Sequence, residues 1–331
     1  MKLNPIFSDH AVFAANKRIS IYGSGRGRAT VRLGDFSIDI RSDADTWCIE
    51  LPKMDYGGPY TLRFSSDEEK KELCDIYIGE VLLFSGQSNM SCTLTDTNTP
   101  KEYYSESLPL LRYTKIADAG VTVPWCTADE ADVEGWSALG YIAGKECLIK
   151  KGVAIGVICC ARGASVIESW MPEGTLEGIG ICLPEEEKFL DHYHEEYGKW
   201  NSDAFLYNHW LTRMIPYTLS GVVWYQGESD ASPAEGALYL RELEALIRVW
   251  RRSFKNPELP FVIVQLADTK SRIELGEGWH LIQRAQEEIS SLVPGVYTVI
   301  SRDISETDDI HPPSKHALGC RIAETILENV I

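Results

Sequence analysis

No two cysteines stand in C-x-x-C spacing, no run of 18 apolar residues occurs, and no segment is low in complexity. The first absence removes the redox and metal patterns built on that spacing, and the second removes a membrane-spanning helix. The third, with 44% apolar and 24% charged residues, marks an ordinary globular chain. Positive charge is also short. Lys plus Arg total 32 against 49 Asp plus Glu, a formal net charge of -17. Such a surface repels phosphate backbones and anionic lipid, so neither nucleic acid nor a membrane is expected as a partner. Residues 1–7 lack the apolar stretch of a signal peptide, and the nine cysteines are odd in number. These features together predict a reducing, cytoplasmic setting.

What is there divides into two patterns. Residues 1–75 read as short strands: 18–22, 29–33 and 36–40 alternate apolar and polar, as half-buried antiparallel strands do. Gly23, Gly25, Gly27, Gly34 and Gly57-Gly58-Pro59 punctuate them, which predicts a small N-terminal β-sandwich. No Lys-Ser/Thr follows Gly23-Ser-Gly-Arg-Gly27, so these glycines are turns rather than a phosphate loop. Over 76–331 strands alternate with helices. Strands are expected at 78–85, 153–160, 221–225, 261–266 and 295–300, and helices at 138–150, 210–219, 236–252, 279–292 and 315–331. Apolar strands joined by helices predict an α/β domain with a mostly parallel sheet covered on both faces. Catalysis in such sheets collects at the carboxyl ends of the strands.

Four polar clusters follow these strands: Ser85-Gly-Gln-Ser-Asn-Met90, Arg162-Gly-Ala-Ser165, Gln226-Gly-Glu-Ser-Asp230 and Asp308-Asp-Ile-His-Pro312. Ser88, in a glycine-led turn opening a helix, would be exposed among backbone N–H groups able to stabilise an oxyanion. Gly163 permits close approach of a ligand to the backbone. Asp308 and His311, three residues apart, would share one side of a helical turn. The carboxylate would then hold the Nδ1 proton and leave Nε2 for the serine. Taken singly, a serine there is usually a helix cap and an Asp-x-x-His a loop contact. All four at strand ends of one sheet are harder to assign to chance.

Gly86-Gln-Ser-Asn-Met90, Trp224-Tyr-Gln-Gly-Glu-Ser229 and Asp309-Ile-His-Pro312 resemble the signature blocks of the sialate O-acetylesterase-like carbohydrate esterases, within the SGNH hydrolases. The likeness extends through Gly57-Gly-Pro-Tyr-Thr61, Ile167-Glu-Ser-Trp170 and Lys315 with Gly319 and Arg321. It implies a flavodoxin-like sheet and a cofactor-free Ser-His-Asp mechanism acting on small O-acetylated saccharides. Ser88 is then the nucleophile, His311 the base and Asp308 its carboxylate. The oxyanion hole would be the N–H groups of Ser88 and Gly163 with the side-chain amide of Gln226. Gln87, Asn89, Glu228, Arg162 and Trp170 would support the site or line the sugar pocket. The family usually reads Trp-Gly-Gly-Thr where this chain has Arg162-Gly-Ala-Ser165, a cation in place of a ring.

Rival readings fit less well. Asp303, Asp308, Asp309, His311 and His316 crowd together, but without the HExxH pattern of a metal hydrolase, and no metal is expected. His192 and His194 lie in an acidic stretch and read as solvated. A non-catalytic sugar-binding protein could use the nine Trp, yet it would need neither Ser88 nor His311. An esterase acting on a lipid or thioester would call for an apolar binding segment, and none is evident.

Overall fold

The computed structural model describes residues 1–117, 120–129, 131–182, 195–270 and 276–331. The strand Lys70–Gly86 organises it. Exposed, half-buried and buried side chains are interspersed through Tyr77, and every residue from Ile78 to Gly86 is buried. The mixed half has one covered face and the continuous half has two. Accordingly the first half pairs antiparallel with Gly57–Ser66, while the second lies between the parallel strands Ile155–Ala161 and Gly221–Tyr225. Phe261–Val264 and Val296–Val299 extend the sheet in parallel beyond Gly221–Tyr225. In chain order these five strands stand 2-1-3-4-5, an order that reverses beside the first strand.

A sixth parallel strand, Leu111–Ala117, lies outside Ile155–Ala161 and was not among the expected strands. Arg112 and Lys115 interrupt its apolar pattern. Arg112 is nonetheless buried, because Asp75 pairs with it at 2.7 Å and the Tyr77 ring lies under its guanidinium at 4.3 Å. A tertiary ion pair offsets the cost of burying that charge.

Gly27–Leu33, Phe36–Ser42 and Gly57–Ser66 pair antiparallel and join the same twelve-stranded sheet through Lys70–Gly86. A separate three-stranded sheet holds Lys2–Leu3, Ile19–Ser24 and Thr46–Leu51. Trp47 from this sheet stacks on Phe64 of the large one, with ring centroids 5.5 Å apart. The large sheet is therefore mixed. The expected division at residues 75 and 76 falls inside one strand, which takes part in both kinds of pairing.

Four long helices sit close to their expected places. Ala138–Lys151 begins at Ser137, whose hydroxyl accepts from the Gly140 N–H at 3.2 Å, and ends at left-handed Gly152. Pro233–Ser253 starts after the capping Ser232 and closes on Arg251 and Arg252, where cations suit the helix dipole. It packs on Gly276–Leu292, and Ala138–Lys151 packs on Lys315–Asn329. The helix expected at 210–219 does not form. A short helix, Phe205–His209, and a single 3-10 turn, Leu211–Arg213, stand there instead. Pro216 lacks an N–H and disfavours helical backbone at Ile215. All nine cysteines are unpaired, with Cys159 and Cys160 buried in Ile155–Ala161 as apolar packing. No helix of the described residues is long and apolar enough to cross a membrane.

At the end of the first central strand the chain turns at Gly86, with φ 136°. A Cβ there would lie 2.0 Å from the carbonyl oxygen of Tyr225. Both the left-handed backbone and this contact require glycine. Gly86→Ala is expected to lower stability by more than about 2 kcal/mol. Urea unfolding followed by circular dichroism checks this, and an unchanged midpoint would contradict it.

Candidate active site

The turn at Gly86 delivers Ser88 to the carboxyl edge of the sheet, where it opens the short helix Ser88–Ser91. Gln87 and Asn89 on either side are buried, while Ser88 remains partly accessible. His311 arrives from the loop before the last helix. Its Nε2 lies 2.7 Å from Ser88 Oγ, a hydrogen bond between residues 223 apart in sequence. Gly163 completes the group. A Cβ on it would come within 3.6 Å of Ser88 Cβ, so its bare backbone faces the serine. The N–H groups of Ser88 and Gly163 have no hydrogen-bond partner among the described residues. Donors unoccupied beside a hydroxyl in contact with an imidazole suit acyl transfer. The following residue, Ala164, holds φ 54°, a conformation that costs an L-residue about 1–2 kcal/mol.

Behind the serine lies a buried polar network. Asn89 Nδ2 donates to Glu228 Oε1 at 2.6 Å and to the carbonyl of Ile310 at 2.9 Å. Its Oδ1 accepts from the ammonium of Lys315. Gln87 Oε1 accepts from the N–H groups of Gly227 and Ser229 at 3.2 and 3.4 Å, tying the serine turn to the next strand end. Burial raises the Glu228 carboxyl to about 7, against which Asn89 and the Lys315 charge work. Its second oxygen has no partner among the described residues. His311 is held below the usual imidazole value. Loss of solvent is the main cause and the Lys315 charge the second, while Asp309 and Asp96 oppose the shift.

The model of the carbohydrate esterase family described as sialic acid-specific acetylesterase matches residues 78–328. The chain belongs to this family. Sialate O-acetylesterase of Homo sapiens is 26% identical across 91% of this chain and 65% of its own length, and that of Rattus norvegicus is 24% identical across 91% and 68%. The chain thus spans about two thirds of the length of these curated relatives. A carbohydrate acetylesterase from Xanthomonas citri superposes with a TM-score of 0.86 at 27% identity, over 99% of this chain and 75% of that one. A solved protein from Arabidopsis thaliana shares the fold, with a TM-score of 0.50 at 17% identity over 76% of this chain and 99% of that one.

Three of the expected site residues lie away from the Ser88–His311 contact or have their polar groups occupied. Asp308 does not reach His311. Its side chain is 88% exposed and pairs with Lys270 at 3.3 Å. Residues 305–314 form bends rather than a helical turn, and Pro312 after His311 disfavours helical backbone, so three-residue spacing puts the two on different sides. Asp309 is the nearer acid: its Oδ1 accepts from the His311 N–H at 2.9 Å. Gln226 is fully buried, and its amide is occupied. Nε2 donates to the Ser165 carbonyl at 2.9 Å and to the Asp230 carboxylate, and Oε1 accepts from Tyr239 at 2.9 Å. It braces the strand end and presents no donor to an oxyanion. Trp170 is buried, its Nε1 donates to Ser165 Oγ at 3.0 Å, and it packs edge-on against Trp224. It belongs to the core rather than to a sugar pocket.

Arg162 stacks over Trp200 at 3.8 Å, so a cation–ring pair stands where the family usually has a ring alone. The acids and histidines that crowd in sequence diverge in space. Asp303 pairs with Arg321, Asp308 with Lys270, and His316 meets the Tyr103 ring. His192 and His194 lie outside the described residues.

Lys315 was not singled out as a site residue, although a lysine in a helix's first turn is itself an anomaly that sequence displays. The raised Glu228 carboxyl has a measurable consequence. An acid whose folded value lies above its unfolded value near 4.5 favours the fold least at high pH. Its penalty grows from about pH 4.5 and levels off above about 7. Glu228→Gln removes the ionisation while keeping an acceptor for Asn89. Relative to wild type it should gain about 2–3 kcal/mol more stability at pH 8 than at pH 5. Urea unfolding at the two pH values reads this, and an equal effect at both would refute it.

Proposed function

We propose that this chain is a carbohydrate O-acetylesterase that releases acetate from O-acetylated sugars, with Ser88 as nucleophile and His311 as base. The 2.7 Å contact between His311 Nε2 and Ser88 Oγ carries the reading. His311 takes the hydroxyl proton as Ser88 Oγ attacks the acetyl carbonyl, and the negative oxygen that forms faces the N–H groups of Ser88 and Gly163. Collapse breaks the ester C–O bond, and the imidazolium returns its proton to the departing sugar oxygen. A water, deprotonated by the same imidazole, attacks the acetyl-enzyme. Acetate leaves and the Ser88 hydroxyl is restored. No step calls for a metal or cofactor.

The relatives named as sialate O-acetylesterases and as a carbohydrate acetylesterase support a sugar acetate as substrate, and O-acetylated sialic acid is the first to test. Ser88→Ala should fold as wild type and lose about a millionfold in turnover, measured as acetate released. Retention of a tenth of the activity would remove Ser88 from the role of nucleophile. A sugar-binding protein without catalysis would give no Ser88-dependent acetate from either O-acetylated sialic acid or acetylated xylo-oligosaccharides.

The histidine is held through its loop rather than by Asp308. Asp309 accepts from the N–H and Asn89 donates to the carbonyl of the one peptide unit that joins Ile310 to His311. Asp308→Asn should therefore stay within about threefold of wild-type turnover, and Asp309→Ala, which removes the acceptor of the His311 N–H, should lose about tenfold or more by loosening the base. Turnover of the two folded variants, measured side by side, decides the matter. Greater damage from Asp308→Asn would restore Asp308 as the partner of His311.

A further inference from the structure

Lys315 is the first residue of the helix Lys315–Asn329, and it is buried to 2% exposure. Two physical terms oppose an ammonium there. The positive end of the helix dipole disfavours a cation in the first turn. Removal from water disfavours the charge itself and lowers the pKa of the amine. A methionine would fill the space without either penalty. The lysine stands at a place that disfavours its charge, and among the described residues its ammonium donates to Asn89 Oδ1, beside Ser88.

We propose that Lys315 is a positioning residue of the hydrolytic centre, locking the Ser88 turn to the His311 loop through Asn89. This rests on the reading of Ser88 and His311 as nucleophile and base. Asn89 has one acceptor and two donors in its side chain, and all three are engaged: by Lys315, Glu228 and the carbonyl of Ile310. It adjoins Ser88 in sequence, and Ile310 adjoins His311. One amide thereby fixes the separation of nucleophile and base, and the ammonium fixes the amide.

The lysine acts on the imidazole by charge as well. Its field opposes protonation of His311, while Asp309 and Asp96 favour it. The groups facing the ammonium are Cys92 from the serine turn, Glu228 from the neighbouring strand end, Glu306 and Asp309 from the base loop, and the Tyr225 ring at 5.6 Å. Glu228 in turn faces Asn89, Lys315, Tyr225 and Tyr239. A lysine that served only to fill space would leave the protonation of His311 untouched.

The experiment compares Lys315→Met, Lys315→Gln and Lys315→Arg by kcat, KM and the pH dependence of kcat/KM, with O-acetylated sialic acid or another cleaved acetate ester. Lys315→Met should lose about ten- to hundredfold in kcat with little change in KM, and the acid limb of its pH profile should move to higher pH. Lys315→Gln keeps a donor for Asn89 without the charge, so its limb should move likewise with a smaller loss of kcat. Lys315→Arg keeps both charge and donor and should restore the limb. Neutral variants with wild-type kcat and an unmoved acid limb would overturn the proposal. So would neutral variants that fail to fold while Lys315→Arg is folded and active with its kcat and acid limb as in wild type, since that outcome assigns the lysine to stability alone. Ser88→Ala in the same assay separates the two readings. An active Ser88→Ala removes the nucleophile itself, whereas an inactive one beside unchanged Lys315 variants removes only the role of Lys315.

Discussion

The backbone of Gly86 passes so close to the Tyr225 carbonyl that no side chain fits between them. That contact closes the carboxyl ends of two neighbouring parallel strands to a common edge, and it turns the chain so that the next residues leave the sheet together. Ser88 reaches the accessible side of the edge, while Gln87 and Asn89 are directed into the protein. Gln87 then binds the N–H groups beyond Tyr225, and Asn89 binds Glu228 from the same strand end. The position of the serine is therefore set by sheet pairing first and by buried amides second. Both depend on a residue without a side chain.

Around this edge the buried polar groups divide into two sets. Asp230, Gln226, Tyr239 and Gln286 satisfy one another and hold the loop after Gly221–Tyr225 in place. The Asn89, Glu228 and Lys315 set is less complete, because one carboxylate oxygen of Glu228 has no partner among the described residues. Burial pushes up the Asp230 carboxyl in the first set as it does the Glu228 carboxyl in the second. The incomplete set is the one adjoining Ser88 and His311. Perturbed ionisable groups collected beside a reactive pair are an arrangement typical of functional sites.

Sequence patterns carried much of this fold because local signals agreed with tertiary burial. The five apolar strands and the four long helices combine a periodicity with a matching environment. Leu111–Ala117 escaped because Arg112 and Lys115 look like surface residues until Asp75 and Tyr77 are seen beside the arginine. The segment after Trp210 read as helical from its apolar spacing, but Pro216 decided otherwise. The change of pattern near residue 75 falls within the strand Lys70–Gly86, whose burial becomes continuous from Ile78.

The sequence by itself determined which residues stand at strand ends, since hydrophobic runs and glycine punctuation are local properties of the chain. Ser88, Gly163 and the His311 loop were legible for that reason. Only the tertiary structure decided which way each side chain faces. Asp308 turned to Lys270, Gln226 entered the core, and Trp170 joined the buried rings, although each had a motif position suited to the site. Direction depends on the backbone conformation of a non-helical loop and on hydrogen bonds between residues far apart in the chain. Asn89 meets Lys315 across 226 positions, and that pairing arises from the folding of the last helix against the serine turn. Such contacts have no local signature, because neither partner's preference is satisfied until the other is in place.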